Sequence, residues 1–573
     1  MAKWRRIASS TTVSDYDIET LWATTSAVPV RREPLRTAVV GAAGLVWMYD
    51  SGDFVEFAIA QAILDCDEVH VAEPGVVGVA VGETVSVLIQ GWDERLADPF
   101  DLAAAPTDPE TLYTVLTGGL LTIVDGSHPV RATTIELASR RLVCETSVRL
   151  SEGAEFIACD GSVLIAREDR GVLGDRLSVF GAGRDSRLIL QIDSAHGSTA
   201  WTTEAGVTFL ARRELGSDEL IAIDPAGAIT RRPAPGPVSS LGGGGSCLVA
   251  VLGDSDEDVY RLELVDADLR LAPVPSFGGK KQIGRGVDGW ITRGVMNGIA
   301  FESQEGVHPV PARSALTAPV ALMAARTVDG RTRAHRYEGS GVTGTVLHLH
   351  GGPDAYETDE LRLFGLATAA TASGWDWRSL NYRGSRGFDA ATTTSAWQHW
   401  DETFIEDLRW ALDHRVPGPL IIAGWSFGAS LALAAARVIA VDGLILGGAM
   451  GPLGDHVASA VIVDDNHESW FAERFSLNGA DRDFLSGMIP TSRLATTVLS
   501  FHGRDDAHCP YELFQQVRAA WTPLVDSWEH HDLPGAGHYA DTLDDARLIR
   551  NQTRLFLSRV AVGEGSDRPG SSG

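Results

Sequence analysis

The residues with the clearest chemical potential are the GWSFG sequence at 424–428, with Ser426 at its centre. A serine hydroxyl is a weak nucleophile until a tight turn presents it and a base takes its proton. The pentapeptide lies between the apolar run 420–423 and the Ala- and Leu-rich stretch 430–439, which predict a buried strand and a helix. Glycines at both ends permit a sharp strand-to-helix turn, so this segment is predicted to be a nucleophile elbow.

A serine nucleophile needs a base, and the base needs a group that orients it. Downstream of Ser426, the strand-like run 497–501 leads into a loop that contains both Asp505 and Asp506. The pattern HGxxDxxxP favours Asp506 as the orienting acid, with Asp505 as the alternative. After the next strand-like run, a Gly-flanked loop carries His538, the predicted base.

The oxyanion of an acyl-transfer intermediate needs two preorganised donors. The backbone N–H of Phe427 is predicted to be one, and the HGGP sequence at 350–353 is expected to supply the other from Gly352. Trp425 and Arg383 are the candidate substrate-binding residues. Arg383 has an alternative role, which is to hold its own loop through bonds to backbone carbonyls.

The elements that must position these groups alternate between strands and helices from about 316 to 562. This alternation predicts an α/β domain, a mostly parallel, doubly wound sheet with helices on both faces. Its predicted strands and helices are, in order, 345–349, 377–381, 405–414, 420–423, 430–439, 444–446, 497–501, 528–530 and 543–559.

Residues 30–315 differ, because they hold many short β-type runs separated by Gly, Asp and Pro. Three units superpose and close on apolar residues at 188, 229 and 269, spacings of 41 and 40. A period of about 40–45 residues is typical of β-propeller blades, so about seven blades are expected. The alternative is a pair of β-sandwiches or another all-β domain.

Composition excludes several classes of function. The 573 residues carry 48 Lys and Arg against 76 Asp and Glu, so 48 − 76 gives a net charge of −28. Such a charge disfavours binding to nucleic acid or to an anionic membrane. No signal peptide or apolar span of about 18 residues is visible, so a cytoplasmic protein is expected. The tail 563–573 is predicted to be disordered.

No metal or cofactor is expected. The five cysteines are widely spaced and form no CxxC pair, which argues against a disulfide framework or a zinc ribbon. Cys509, close to the predicted acid loop, is interpreted as a buried inert thiol. His348 and His350 alternate along one strand without a third ligand at metal spacing, so both are interpreted as structural hydrogen-bonding residues.

Taken together, five motifs resemble those of the prolyl oligopeptidase family of serine peptidases, and they match its acylaminoacyl peptidase and dipeptidyl peptidase branches best. In chain order they are HGGP at 350–353, NYRGS with GF at 381–388, GWSFGAS at 424–430, HGRDDAHCP at 502–510 and GAGH at 535–538. The resemblance implies an α/β-hydrolase domain preceded by a seven-bladed propeller that screens the site, and cleavage of short peptides without a cofactor. It also implies that the N-terminal segment 1–29 forms a helix, over 15–24, that packs on the hydrolase domain. His508, Phe427 and Ala429 depart from the residues common in the family.

The expected function is therefore hydrolysis of short peptides through Ser426, His538 and Asp506, by a chain that could also form a homo-oligomer. Two alternatives stay open. A specialised relative could hydrolyse an ester or isopeptide bond, or pass the acyl group to an amine and close a peptide ring. The chain could also be a non-catalytic propeller scaffold, although an intact triad argues against this.

Overall fold

The structure, a computed structural model, describes residues 4–562 apart from a set of short stretches, and the segments 1–3 and 563–573 also lie outside it. The stretches between 4 and 562 that it does not describe are 11–12, 16–20, 22–28, 33–35, 41–45, 51–52, 58, 65, 67, 73–74, 82–84, 92–94, 103–111, 118–119, 126–129, 149–153, 160–162, 170–174, 182–186, 195–198, 204–205, 214–217, 244–245, 254–255, 277, 284–288, 304–305, 311–313, 317–319, 340–341, 362–365, 461–466 and 486–491. The tail predicted over 563–573 therefore lies outside the described residues.

Among the described residues, the first half forms seven consecutive four-stranded antiparallel sheets, each from four strands adjacent in the chain. The strands of the seven sheets are Pro29–Arg32, Arg36–Val40, Val46–Asp50 and Asp53–Phe57; Glu68–Ala72, Gly75–Val81, Val85–Gly91 and Phe100–Leu102; Leu112–Thr117, Leu120–Asp125, Val130–Glu136 and Arg141–Val148; Ala154–Cys159, Val163–Asp169, Asp175–Gly181 and Leu188–Ser194; Thr199–Thr202, Thr208–Arg212, Glu219–Ile223 and Ile229–Pro233; Val238–Gly243, Cys247–Leu252, Glu257–Val265 and Asp268–Val274; and Lys280–Ile283, Gly289–Gly294, Gly298–Ser303 and Gly306–Pro309.

The repeat predicted from the apolar residues at 188, 229 and 269 has a structural basis. Each of these residues begins or nearly begins the fourth strand of the fourth, fifth and sixth sheets. The first strands of successive sheets contact each other from the second sheet to the seventh. Pro29–Arg32 of the first sheet contacts Gly289–Gly294 of the seventh, so the series returns to its start.

The second half is organised around one nine-stranded sheet. Its spatial order is Arg5–Ser10, Val320–Arg326, Arg333–Gly339, Trp375–Asn381, Gly344–Leu349, Leu420–Trp425, Gly443–Gly447, Thr497–Gly503 and Ser527–Leu533. The last six strands run parallel and the first three pair antiparallel. The carboxyl ends of the parallel strands therefore meet at one edge, where ligands usually bind in open α/β sheets.

Helices cover both faces of this sheet, as predicted. The α-helices among the described residues are Gln61–Leu64, in the first half, and Leu366–Ala372, Ala390–Thr394, Trp400–Ala411, Phe427–Ala436, Leu453–Ala460, His467–Arg474, Ala480–Phe484, Tyr511–Trp521 and Leu543–Ala561. Alternate strand residues enter opposite cores: Ile421 joins the core under Leu543–Ala561, and Ile422 joins the core under Phe427–Ala436. Both side chains are fully buried, which explains the uninterrupted apolar run of a central parallel strand.

The N-terminal segment contributes strands to the second half. Arg5–Ser10 pairs with Val320–Arg326 at the edge of the large sheet, and Val13–Asp15 pairs with Ser314–Leu316. The helix predicted over 15–24 falls mostly outside the described residues, and its first residue, Asp15, ends a strand. Within the described part of the chain, no helix has the combination of length and apolar character that crossing a bilayer requires.

Candidate active site

Ser426 occupies the turn between the parallel strand Leu420–Trp425 and the helix Phe427–Ala436. Its backbone has φ 57° and ψ −128°, and a positive φ is one that non-glycine residues rarely adopt. Such a conformation costs about 1–3 kcal/mol and persists where the surroundings impose it. The Ser426 N–H donates to the Gly447 carbonyl at 2.8 Å, which anchors the turn to the neighbouring strand. The segment therefore has the strained geometry of a nucleophile elbow.

The glycines on either side of Ser426 are required by packing. A Cβ on Gly424 would lie 2.3 Å from the carbonyl oxygen of Gly428, so the strand and the helix could not approach as they do. A Cβ on Gly428 would lie 2.1 Å from the carbonyl oxygen of Leu349 on the adjacent strand. Both contacts are with backbone atoms, which cannot move aside as a flexible side chain could.

Asp506 and His538 meet at the same edge of the sheet, from the loops that follow two neighbouring parallel strands. His538 Nδ1 lies 2.8 Å from Asp506 Oδ2. The other carboxylate oxygen of Asp506 accepts from the N–H of His508 at 2.9 Å and from that of Cys509 at 2.7 Å. The alternative acid, Asp505, has an exposed side chain. The structure thus brings Asp506 and not Asp505 against the histidine.

These contacts keep the Asp506 carboxyl ionised. Burial alone raises its pKa, but the hydrogen bond and the charge of His538, with the Cys509 N–H, more than offset burial and lower the pKa below its ordinary value. An ionised carboxylate at Nδ1 holds the imidazole proton there and leaves Nε2 free to accept one.

The Ser426 side chain is half-buried, and it interacts with the thiol of Cys509. Burial raises the pKa of that thiol well above its usual range, while the bond with Ser426 lowers it. Cys509 is 2% exposed. A protonated, enclosed thiol matches the sequence-based interpretation, but its contact with Ser426 was not foreseen, because no spacing rule relates 426 to 509.

The HGGP loop lies directly against the elbow. A Cβ on Gly351 would be 3.1 Å from the Cβ of Ser426 and 3.1 Å from the Trp425 carbonyl oxygen. The next residue, Gly352, is exposed and has φ +116°, a conformation that favours glycine. Phe427 is the first residue of the elbow helix, where an N–H has no partner inside the helix. Phe427 is thus adjacent to Ser426 in the chain, and Gly352 follows the glycine that packs against Ser426.

A buried network fixes the HGGP loop. His350 Nδ1 is 2.7 Å from the Gly351 carbonyl oxygen, and Nε2 is 2.7 Å from Ser385 Oγ. The Tyr382 hydroxyl donates to the His350 carbonyl at 2.8 Å, and the two rings stack with centroids 4.3 Å apart. The sequence-based interpretation of His350 as a structural residue fits this geometry. The sequence analysis did not identify Tyr382 and Ser385 as residues that hold the HGGP loop. The parallel strands that end at 349 and 381 could have indicated this, because the loops that follow neighbouring parallel strands lie at the same edge of the sheet.

Trp425 contacts the histidine loop. Its indole N–H donates to the His538 carbonyl at 2.8 Å, and its ring is 7% exposed. A Cβ on Gly447 would lie 1.9 Å from that ring, so a residue without a side chain is needed below it. These contacts give Trp425 a role in positioning the His538 loop.

Arg383 is turned toward the helix Trp400–Ala411. Its guanidinium bonds to Asp407 at 3.0 Å and Glu406 at 2.7 Å, and it donates to the Thr403 carbonyl at 2.8 Å. The residue is 9% exposed. These contacts favour the alternative in which Arg383 holds its own loop, rather than the substrate-binding role also predicted for it.

Contacts between the two halves of the chain surround this edge of the sheet. Arg386, in the loop after Tyr382, forms an ion pair with buried Asp218 of the first half. The Tyr356 hydroxyl, just beyond the HGGP loop, donates to Glu257 at 3.0 Å. The four-stranded sheets therefore contact the segments that follow the parallel strands Gly344–Leu349 and Trp375–Asn381.

One group of side chains in the described residues could hold a metal ion. One ligand atom from each of Asp506, Cys509 and His538 lies within 4.8 Å of the other two. The histidines considered from the sequence are engaged elsewhere: His350 in the network above, and His348 stacked on Trp377 with its Nδ1 3.6 Å from Glu357.

No protein-family model matches the chain. Solved structures, however, resemble it over nearly its full length. A puromycin-hydrolysing peptidase of Mycobacterium tuberculosis gives a TM-score of 0.65 at 16% identity, covering 99% of this chain and 98% of that one. The acylaminoacyl peptidase of Pyrococcus horikoshii gives 0.67 at 10% identity, covering 95% and 97%. Oligopeptidase B of Trypanosoma brucei gives 0.62 at 11% identity, covering 95% and 89%.

These neighbours belong to the family named from the motifs, and they combine a propeller with an α/β-hydrolase domain. At 10–16% identity, the similarity to these structures shows the fold. The resemblance expected from the motifs is therefore confirmed for the fold, and the chain has the fold of the prolyl oligopeptidase family of serine peptidases.

Proposed function

We propose that this protein is a serine peptidase that hydrolyses short peptides through an acyl-enzyme on Ser426. The observation that carries the proposal is the 2.8 Å bond between His538 Nδ1 and Asp506 Oδ2, beside a serine in a strained elbow turn. A nucleophile, a base and an orienting carboxylate are the minimum set for this chemistry.

In the proposed reaction, the Ser426 hydroxyl turns from Cys509 toward His538 Nε2 as substrate binds, because catalytic hydrogen bonds commonly tighten only in the complex. Ser426 then attacks the scissile carbonyl while His538 takes its proton. His538 returns this proton to the leaving amine, and water completes hydrolysis by the same route. Asp506 stabilises the imidazolium throughout and stays ionised.

The tetrahedral oxyanion is assigned to the backbone N–H groups of Phe427 and Gly352. The partial positive charge at the start of the elbow helix supports the first donor. The His350 network supports the second, because a loop fixed in advance costs no reorganisation during the reaction. Losing one such donor typically costs about 3–4 kcal/mol of barrier. The proposed catalytic unit spans 316–562.

The proposed substrate class, short peptides, follows from the first half of the chain. We infer that the seven sheets form a seven-bladed propeller over residues 30–315. The contact that returns the seventh sheet to the first supports a closed ring. The contacts of Arg386 and Tyr356 with the first half support its placement over the catalytic edge. A cover of this kind admits small or unfolded substrates and excludes folded proteins.

The test is mass spectrometry of a pool of short peptides, each present with a free and an acetylated amino terminus, and of puromycin, because one structural neighbour hydrolyses it. Ser426→Ala serves as the control. Fluorophosphonate labelling of the folded protein is measured in parallel.

Products with the mass of water added, formed only by the intact enzyme, support the peptidase. The cleavage positions and the preferred amino terminus then define its specificity. Labelling of Ser426 without hydrolysis of any pool member contradicts general peptidase function. Product of unchanged total mass identifies acyl transfer to an amine. A folded protein that neither labels nor cleaves contradicts catalysis altogether and favours the scaffold alternative.

A further inference from the structure

The buried thiol of Cys509 is not used in the proposed reaction, yet it lies inside the catalytic constellation. Its Sγ, a His538 ring nitrogen and an Asp506 carboxylate oxygen are mutually within 4.8 Å. Two of these three residues are buried, and His538 is half-buried. Its bond with the Ser426 side chain places the nucleophile against the same sulfur.

Sulfur, nitrogen and oxygen together form a set of donors that Zn²⁺ binds tetrahedrally. Bond lengths of about 2.0–2.3 Å place two ligand atoms on one zinc ion about 3.5 Å apart. Atoms already within 4.8 Å therefore need movements of about 1 Å or less to reach a common ion. Ser426 Oγ or a water molecule is available for a fourth position.

The charges also balance. A zinc ion carries two positive charges, and a thiolate and a carboxylate together carry two negative ones, so the filled site is neutral. Neutrality matters because an uncompensated charge is costly to bury. The thiol must release its proton to solvent when the metal binds, as coordinated thiols do.

We propose that Cys509, His538 and Asp506 form an inhibitory binding site for a thiophilic divalent cation such as Zn²⁺. The ion takes an imidazole lone pair and the carboxylate that orients the ring, so the metal-bound protein cannot accept a proton from Ser426. Metal occupancy and catalysis are therefore mutually exclusive. Mg²⁺ and Ca²⁺, which require oxygen ligands, do not bind at this site.

The test uses the full-length protein after treatment with a chelator, and Co²⁺ as a spectroscopic substitute for Zn²⁺. We expect a near-ultraviolet thiolate-to-cobalt charge-transfer band that Zn²⁺ abolishes and Mg²⁺ does not. The band is absent in Cys509→Val and Cys509→Ser, and it is retained in the matched control Cys247→Val, which alters a buried thiol in the first half.

The second readout is the rate of fluorophosphonate labelling, measured as a function of Zn²⁺ concentration. The rate of each variant is compared with the rate of the same variant without metal. Micromolar Zn²⁺ is expected to slow labelling at least tenfold in the wild type and in Cys247→Val. Cys509→Val and Cys509→Ser are expected to need at least tenfold more Zn²⁺.

Equal Zn²⁺ sensitivity of the Cys509 variants and the wild type overturns the proposal, as does Co²⁺ binding without a thiolate band or no Co²⁺ binding at 100-fold excess. The cobalt spectrum requires no catalysis. A protein that shows the band but cleaves nothing would thus retain the metal site while contradicting the proposed peptidase.

Discussion

Replacing Asp506 by Asn isolates the role of its carboxylate, because the two side chains have nearly the same shape. The carbonyl oxygen of the amide can keep the two backbone bonds that Asp506 accepts, at 2.9 and 2.7 Å from His508 and Cys509. That orientation directs the NH₂ group at His538 Nδ1. The ring then carries its proton on Nε2, so it cannot act as a base toward Ser426.

The magnitude follows from the lost charge and the lost bond. A unit charge about 4 Å from the imidazolium contributes about 4 kcal/mol at an effective dielectric constant of 20. The charge-assisted hydrogen bond adds about 1.5–3 kcal/mol. The sum of about 5–7 kcal/mol corresponds to a fall in kcat of about 10⁴-fold or more, with little change in thermal stability because the backbone bonds survive.

The assay is kcat on the best substrate from the peptide pool, together with the rate of fluorophosphonate labelling and the melting temperature. Asp505→Asn is the matched control, because it makes the same chemical change one residue earlier, on an exposed side chain. It should leave both rates within about twofold, as surface substitutions usually do. A loss below tenfold for Asp506→Asn, or an equal loss for Asp505→Asn, would refute the assignment.

Three further substitutions test the supports of the site and of the fold. Trp425→Phe removes the indole donor to the His538 carbonyl and should lower kcat about tenfold with KM nearly unchanged; a rise in KM alone would instead indicate substrate binding. Gly428→Ala places a methyl group 2.1 Å from the Leu349 carbonyl and should cost about 3 kcal/mol or more, and an unchanged melting temperature would contradict this. Burial raises the pKa of Asp359 to about 6, so the folded state gains stability as pH falls from about 6 toward 4. As pH rises from 4 to 7, the stability of Asp359→Asn relative to the wild type should therefore improve by up to about 3 kcal/mol. Denaturant titrations at pH 4 and pH 7 measure this, and an equal stability difference at both pH values would contradict the prediction.

The features that could be predicted from the sequence were mainly local in the chain. The elbow, its glycines and its flanking strand and helix were predictable because tight turns constrain residue types over five or six positions, and buried parallel strands are apolar on both faces. The observed strand Leu420–Trp425 and helix Phe427–Ala436 agree with that prediction within about three residues at each end. The period near 40 was visible for the same reason, since each repeat is a local meander.

Pairings between distant segments were not predictable. Arg5–Ser10 joins the edge of the large sheet through Val320–Arg326, more than 300 residues away. This strand has six residues of mixed polarity, without the alternation of apolar and polar residues that would predict which strand it pairs with. The antiparallel strand Arg333–Gly339 was missed as well, although it is required to complete that edge of the sheet.

The kinds of groups at the site and their order along the chain could be predicted from the sequence, because short-range sterics and hydrophobic periodicity act within a few residues. Which of these groups meet depends on the three-dimensional fold. It sets Asp506 against His538, turns Arg383 toward Asp407, and places Cys509 beside Ser426. Those contacts depend on the register and twist of neighbouring strands and on the packing of two cores, and these are properties of the whole fold.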